Sequence, residues 1–182
     1  MKRTTLTAIA ASVGVAFAAY AAAETMSKTH YNASKEAIES EYKSASAACE
    51  PLKANARDIC MAEAKGKERV ARAELTAAYK PTATSRYTVR MAHAEADYSV
   101  AREKCDDQQG NAKDVCVKEA KAARVAGEAD AKAQRKTVAA KHDASVDKRD
   151  AEYAVAKEKC AALEQPAKDT CIADAKAQYG KS

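Results

Sequence analysis

Residues 97–121 read DYSVAREKCDDQQGNAKDVCVKEAK, and a related stretch occurs twice more in the chain. Residues 41–65 read EYKSASAACEPLKANARDICMAEAK, and residues 152–176 read EYAVAKEKCAALEQPAKDTCIADAK. Each copy holds two cysteines with ten residues between them, and successive copies begin 56 and then 55 residues apart. Fixed offsets in three copies are the signature of a structural repeat. The chain is therefore predicted to contain three related units.

The residues around the cysteines predict two helices joined by a bend in each unit. A tyrosine and an alanine stand seven and four residues before the first cysteine, on the same face of a helix as that cysteine. Between the two cysteines lie residues that interrupt helices, namely Pro51, Gly110 and Pro166. Each unit is therefore predicted to be the tip of an antiparallel helical hairpin. The residues expected to pack there are Tyr42, Tyr98, Tyr153, Ala45, Ala101 and Ala156.

The N-terminus has the pattern of a secretory signal peptide. Lys2 and Arg3 precede an uncharged apolar stretch over residues 6–20, and small residues follow it. This pattern predicts a signal peptide over residues 1–23, cleaved after Ala21 or Ala23. An uncleaved anchor is the alternative, but the apolar stretch is short for a bilayer span. The mature chain is then expected in the periplasm, with no stable membrane insertion after cleavage.

Export gives the six cysteines a structural interpretation, because paired disulfides are the default in an oxidising compartment. A disulfide needs Cα atoms roughly 5.5 Å apart, and two helices come that close only where the neighbouring residues are small. Alanines four residues from every cysteine supply that room. The predicted pairs are Cys49–Cys60, Cys105–Cys116 and Cys160–Cys171. Each short loop is worth about 3 kcal/mol in the chain-entropy account of disulfide stabilisation.

Composition predicts long solvated helices instead of a large core. Of 182 residues, 47 are Ala, one is Phe and none is Trp, and 18 large aliphatic side chains follow residue 23. Alanine, lysine, glutamate and arginine are the strongest helix formers. We therefore predict an elongated all-α fold of long Ala-rich antiparallel helices in three disulfide-stapled hairpin repeats. The helical repeat region is placed over residues 24–182, with hairpin tips near 49–60, 105–116 and 160–171.

The expected helices cover residues 30–49, 56–105, 112–160 and 167–179. The second is expected to break near residues 80–82, because the residue before Pro81 disfavours helix. The sequence leaves two points open. It does not decide whether this helix continues past Pro81, or whether the helices pair along their full length.

The sequence contains none of the common catalytic motifs. No Gly-rich phosphate loop, nucleophile elbow or His-Glu-x-x-His is present, so no catalytic or cofactor-binding residue is assigned and no enzyme is expected. Zinc ligands normally stand two to four residues apart, which makes the ten-residue cysteine spacing poor for metal. Acidic and basic residues nearly balance, at 26 and 31, so a solvated helix surface explains the charges better than nucleic-acid binding.

A family resemblance covers essentially the whole chain. The signal peptide, the repeated Tyr-x-x-Ala-x-x-x-Cys and residues 111–121 resemble uncharacterised exported Ala/Lys-rich helical repeat proteins of β-proteobacteria, often labelled TolA-like or cell-envelope biogenesis proteins. The resemblance implies a periplasmic address and supplies no active-site residues.

The expected function is a non-enzymatic structural or interaction element of the cell envelope. Its partner would be an envelope protein or a cell-wall component, and self-association through Ala-rich stripes is a further possibility. The alternatives are a stress-linked periplasmic holdase chaperone and a metal-binding Cys/His protein.

Overall fold

The computed structural model describes residues 26–181, and the predicted signal peptide over residues 1–23 lies outside the described residues. Five helices follow one another: α1 (Lys28–Cys49), α2 (Ala54–Tyr79), α3 (Ala83–Cys105), α4 (Gly110–Ala161) and α5 (Ala167–Tyr179). The described residues form no strand. Each of the three disulfides joins two successive antiparallel helices, which confirms the predicted fold of stapled helical hairpins.

The helices form a single zigzag layer. Each helix contacts only the helix before it and the helix after it in the chain, so within residues 26–181 α1 does not reach α3 and α2 does not reach α4. No helix is therefore surrounded on all sides, and both faces of the layer meet solvent. Among these helices, none combines the length and the apolar character that crossing a bilayer requires.

The chain turns back sharply between α2 and α3. Pro81 cannot continue a helix hydrogen-bond ladder, and Thr82 then caps the next helix. The Thr82 hydroxyl accepts from the backbone N–H of Ser85 at 3.0 Å, and the Ser85 hydroxyl accepts from the backbone N–H of Thr82 at 2.9 Å. The expected helix over residues 56–105 is therefore two helices that lie side by side.

Small residues fill the contacts between helices. The buried apolar residues of the described chain are alanines and cysteines, and the largest fully buried side chains are Cys49, Cys105 and Cys160. At two glycines, neighbouring helices approach each other closely. A Cβ atom at Gly66 of α2 would lie 3.0 Å from the Ala96 Cβ of α3, and one at Gly127 of α4 would lie 3.1 Å from the Ala94 Cβ of α3. These glycines let neighbouring backbones come close together.

Helix α4 links the second hairpin to the third. Its 52 residues span about 78 Å at the α-helical rise. Helix α3 packs against its first part and α5 against its last part. Between these two contacts lies a segment in which every residue is exposed, residues 132–145, which we call the bare segment. Its start still reaches α3, because Arg135 lies against the Tyr87 ring.

Candidate interaction surfaces

The three hairpin tips share one geometry. The Cα atoms of Cys49–Cys60, Cys105–Cys116 and Cys160–Cys171 lie 5.6, 5.6 and 5.7 Å apart. This confirms the disulfide pairing predicted from the spacing. In each pair the first cysteine is buried and the second is half-buried. The tips are therefore structural staples, and all six thiols are used in them.

Alanines give these staples their room. Four residues after each second cysteine stand Ala64, Ala120 and Ala175, which are buried. Four residues before each first cysteine stand Ala45, Ala101 and Ala156, which are half-buried. The sulfur of Cys49 lies 3.3 Å from the carbonyl oxygen of Ala45, one turn earlier. A larger side chain at these alanines would separate the two helices and stretch the staple.

The repeated tyrosines lie where neighbouring helices meet. Tyr98 of α3 lies under the guanidinium of Arg124 of α4, with 4.7 Å from Cζ to the ring centroid. Tyr153 of α4 lies 6.3 Å from the ring of Tyr179 of α5. Tyr42 is half-buried and lines a small cleft between α1 and α2. Each of the three tyrosines therefore lies about two helical turns from its disulfide, between the two helices that the disulfide joins.

A second level of contacts, which the sequence analysis missed, lies eleven residues further from the disulfides. The Tyr31 and Tyr79 rings of α1 and α2 are 4.5 Å apart. Arg135 of α4 lies 4.5 Å from the Tyr87 ring of α3. Eleven residues make three turns of a nearly straight helix, so a hairpin repeats its contacts at that interval. Counting back eleven residues from Tyr42 and from Tyr98 reaches Tyr31 and Tyr87, and would have pointed to these contacts.

Several cations between the tips and the middle of the helices are paired with carboxylates. Glu95 of α3 lies 3.9 Å from Arg69 of α2 and 3.2 Å from Arg124 of α4, so one carboxylate bridges three helices. The hydrogen bond that Arg124 donates to Glu95 raises the pKa of its guanidinium above the ordinary value. Lys104 of α3 lies 3.8 Å from Glu63 of α2.

An open trough of about 800 Å³ runs along α2 between α1 and α3. Small and apolar residues make its floor, including Gly66, Val70 and Val100, and charged residues make its rim. On that rim, His93 and Glu74 approach to 3.5 Å, with side chains 52% and 58% exposed. Water reaches both groups, so this pair lies on a solvated edge.

At the end of the layer away from the first two tips lie three segments that hold cations and no acid of their own. Just outside them, Glu74 lies 3.5 Å from His93 and Glu128 lies 4.0 Å from Lys132. Residues 26–35, 75–94 and 131–142 contain no Asp or Glu. They hold nine Lys or Arg residues and all three histidines of the chain. We call these three segments together the basic end. Its cations are Lys28, Lys35, Lys80, Arg86, Arg90, Lys132, Arg135, Lys136 and Lys141.

The fold brings the three segments of the basic end together. The Tyr31–Tyr79 contact joins the first segment to the second, and the Tyr87–Arg135 contact joins the second to the third. Within residues 26–181, eight of its nine cations have no carboxylate within 4.0 Å, and the ninth, Lys132, lies 4.0 Å from Glu128. Arg90 is half-buried and the other eight cations are exposed.

Comparison with known proteins identifies no match to this chain. No family model, no curated protein and no solved structure matches the chain. Within the part of the chain that the structure describes, no three His, Cys, Asp or Glu side chains gather closely enough to hold a metal ion. The function must therefore be argued from the surfaces themselves.

Proposed function

We propose that this protein is a non-enzymatic interaction element of the cell envelope that works in the periplasm. The observation that carries the proposal is the single stapled layer, in which each helix contacts only its neighbours in the chain. Such a layer has little interior in which to enclose a reaction and a large surface on which to bind other molecules. Repeat proteins with this organisation typically use their extended surfaces for binding.

Three disulfides support a location outside the cytoplasm, because reducing systems in the cytoplasm keep such thiols reduced. The N-terminal pattern of residues 1–23 and the resemblance to exported β-proteobacterial proteins support the periplasm in particular. The metal-binding alternative is weakened, since every cysteine is held in a disulfide and offers no thiolate ligand.

A non-enzymatic role is supported by the exposure of the titratable groups in the trough. Catalytic acids and bases are usually placed where burial or a close charge shifts their pKa. His93 and Glu74 on the trough rim are both more than half exposed. They are better suited to contacts with a partner than to proton transfer in an enclosed site.

The test is site-specific photo-crosslinking in the native cell. A photoreactive residue is placed at Lys67 on the trough rim, at Lys136 in the basic end, and at Lys118 near a tip as the matched exposed control. The N-terminus of the purified protein is sequenced in parallel. We expect a mature chain that begins near Glu24 and a crosslink to an envelope component from at least one of the first two positions. An intact N-terminus, or no crosslink from any position, would contradict the proposal.

A further inference from the structure

We propose that the basic end binds a linear anionic polysaccharide chain. The inference rests on the proposed function, which places the protein in the envelope, and it names the class of partner for one surface.

The first observation is the segregation of charge. The basic end holds nine of the 31 Lys and Arg residues of the chain and none of its 26 Asp and Glu residues. Arg86 and Arg90 lie on α3, and Lys132, Lys136 and Lys141 lie on the neighbouring α4. A local concentration of one sign attracts polyanions and gains free energy when they release their counterions.

The second observation is that few of these cations are paired with a carboxylate. Among residues 26–181, Arg86 and Arg90 donate only to the backbone carbonyls of Pro81 and Arg86, and Arg135 lies over the Tyr87 ring. Near the tips, Arg69, Lys104 and Arg124 each have a carboxylate within 4.0 Å. Within the described residues, the basic end has one such pair among its nine cations, at the limiting distance of 4.0 Å. Most of its charges are therefore not neutralised by carboxylates of the described chain and are available to an external anion.

The third observation is the shape of the surface. Helix α4 continues past the start of α3 as the bare segment, and α5 then packs against the far part of α4. The cations therefore lie on successive helices and continue onto the projecting part of α4, where a linear polymer can contact several of them at once. Of the side chains that usually hold a protein at a bilayer, the basic end has one Leu, Leu75, and no Trp or Phe. The surface therefore favours a polymer over a bilayer.

The fourth observation concerns the aromatic rings. Tyr31 and Tyr79 pack against each other at 4.5 Å, and Arg135 covers the Tyr87 ring at 4.5 Å. Single-stranded nucleic acids are usually held by bases that stack on open aromatic faces. These rings are already engaged, so the surface favours a polymer that is recognised by its charged groups alone.

The experiment uses the full mature chain with its disulfides intact and fluorescein-labelled polygalacturonate as the probe. The test variant replaces four unpaired cations of the basic end: Arg86→Gln, Arg90→Gln, Lys136→Gln and Lys141→Gln. The matched control replaces four exposed lysines elsewhere: Lys65→Gln, Lys118→Gln, Lys121→Gln and Lys157→Gln. Both variants change the net charge equally, and circular dichroism verifies that both remain helical. Binding is followed by fluorescence anisotropy at several salt concentrations.

We expect the test variant to bind polygalacturonate about 10-fold more weakly than the parent, with the control within about twofold, because local charge governs the contact. We also expect binding by the parent to weaken steeply as salt rises. Equal weakening of both variants would overturn the proposal, because net charge would then explain binding. The same holds if the parent does not bind polygalacturonate at low salt.

Two further arms test other partners. Single-stranded oligo(dT) and vesicles rich in phosphatidylglycerol compete against the labelled polygalacturonate. A parent that binds either competitor more tightly than polygalacturonate would replace our proposal with nucleic-acid or membrane binding. Failure of the proposed function is distinguishable, because crosslinking could fail in cells while the purified chain still discriminates between the two variants.

Discussion

Helix α3 joins two very different regions. At its C-terminal end, Cys105 is fully buried in a disulfide, and at mid-helix Glu95 ties the neighbouring helices together through Arg69 and Arg124. At its N-terminal end, Arg86 and Arg90 have no carboxylate partner within 4.0 Å among residues 26–181. One end of the hairpin is held covalently and by ion pairs, and the other end concentrates charge of one sign.

The difference teaches how a chain with so small a core can retain a repulsive surface. A disulfide stabilises the fold without a large apolar interior, by restricting the unfolded chain. With disulfides at the tips, the basic end need not contribute ion pairs of its own to hold the fold. Such a trade of local stability for function is common at binding surfaces.

The largest loss of stability is expected when one disulfide is removed. Replacing Cys105 and Cys116 together with alanine should lower the free energy of unfolding by about 3 kcal/mol, because an eleven-residue loop is no longer closed. Urea unfolding followed by circular dichroism measures the change. The same double replacement at Cys160 and Cys171 serves for comparison, since α5 contacts only α4 among the described helices and we expect it to be released. If the loss of the Cys105–Cys116 disulfide lowers the free energy of unfolding by less than about 1 kcal/mol, packing between the helices holds this hairpin.

A smaller effect is expected from crowding the contact between α3 and α4. Gly127→Leu places a side chain where even a Cβ atom would lie 3.1 Å from the Ala94 Cβ. The free energy of unfolding should fall by about 2 kcal/mol, which is typical of an overpacked contact. The matched control is Ala126→Leu on the exposed side of the same helix. Thermal unfolding compares the two, and equal melting temperatures would mean that α3 and α4 do not approach as described.

The smallest effect should have the opposite sign. Neutralising Arg86, Arg90, Lys136 and Lys141 with glutamine removes mutual repulsion and should raise the free energy of unfolding by about 0.5 kcal/mol at low salt. The control set of four lysines away from the basic end should not raise it. Chemical unfolding at low and high salt measures the difference, which should shrink as salt screens the charges. Destabilisation by the basic-end variant would show that these cations support the fold.

The sequence predicted the hairpins well because the signals for them are local. Two cysteines with ten residues between them, helix breakers in the interval and alanines at four-residue offsets all lie within one short stretch. Pro81 and Thr82 likewise mark the end of α2 and the start of α3 within a few residues. Local spacing is enough to place such elements, since capping and helix breaking act over single turns.

The basic end was not predicted, because the information for it is spread over the chain. Residues 26–35 and 131–142 are nearly a hundred residues apart in sequence. Total charge hides the cluster, because acids near the tips cancel it in the sum. The near balance of acids and bases therefore predicted a solvated helix surface, whereas the structure gathers many of the cations at one end. Only the zigzag path of the helices shows that these segments share one end.

The order of the staples also bears on how the protein is made. Six cysteines allow fifteen complete pairings, and this fold uses the one that joins consecutive cysteines along the chain. No bridge spans another, so each pair of cysteines can close its loop independently of the other two. A chain in which neighbouring cysteines pair as they are oxidised needs no later exchange between mispaired partners. The repeat is thus a unit of biogenesis as well as of architecture, and units can be added to it without creating a sorting problem for the thiols.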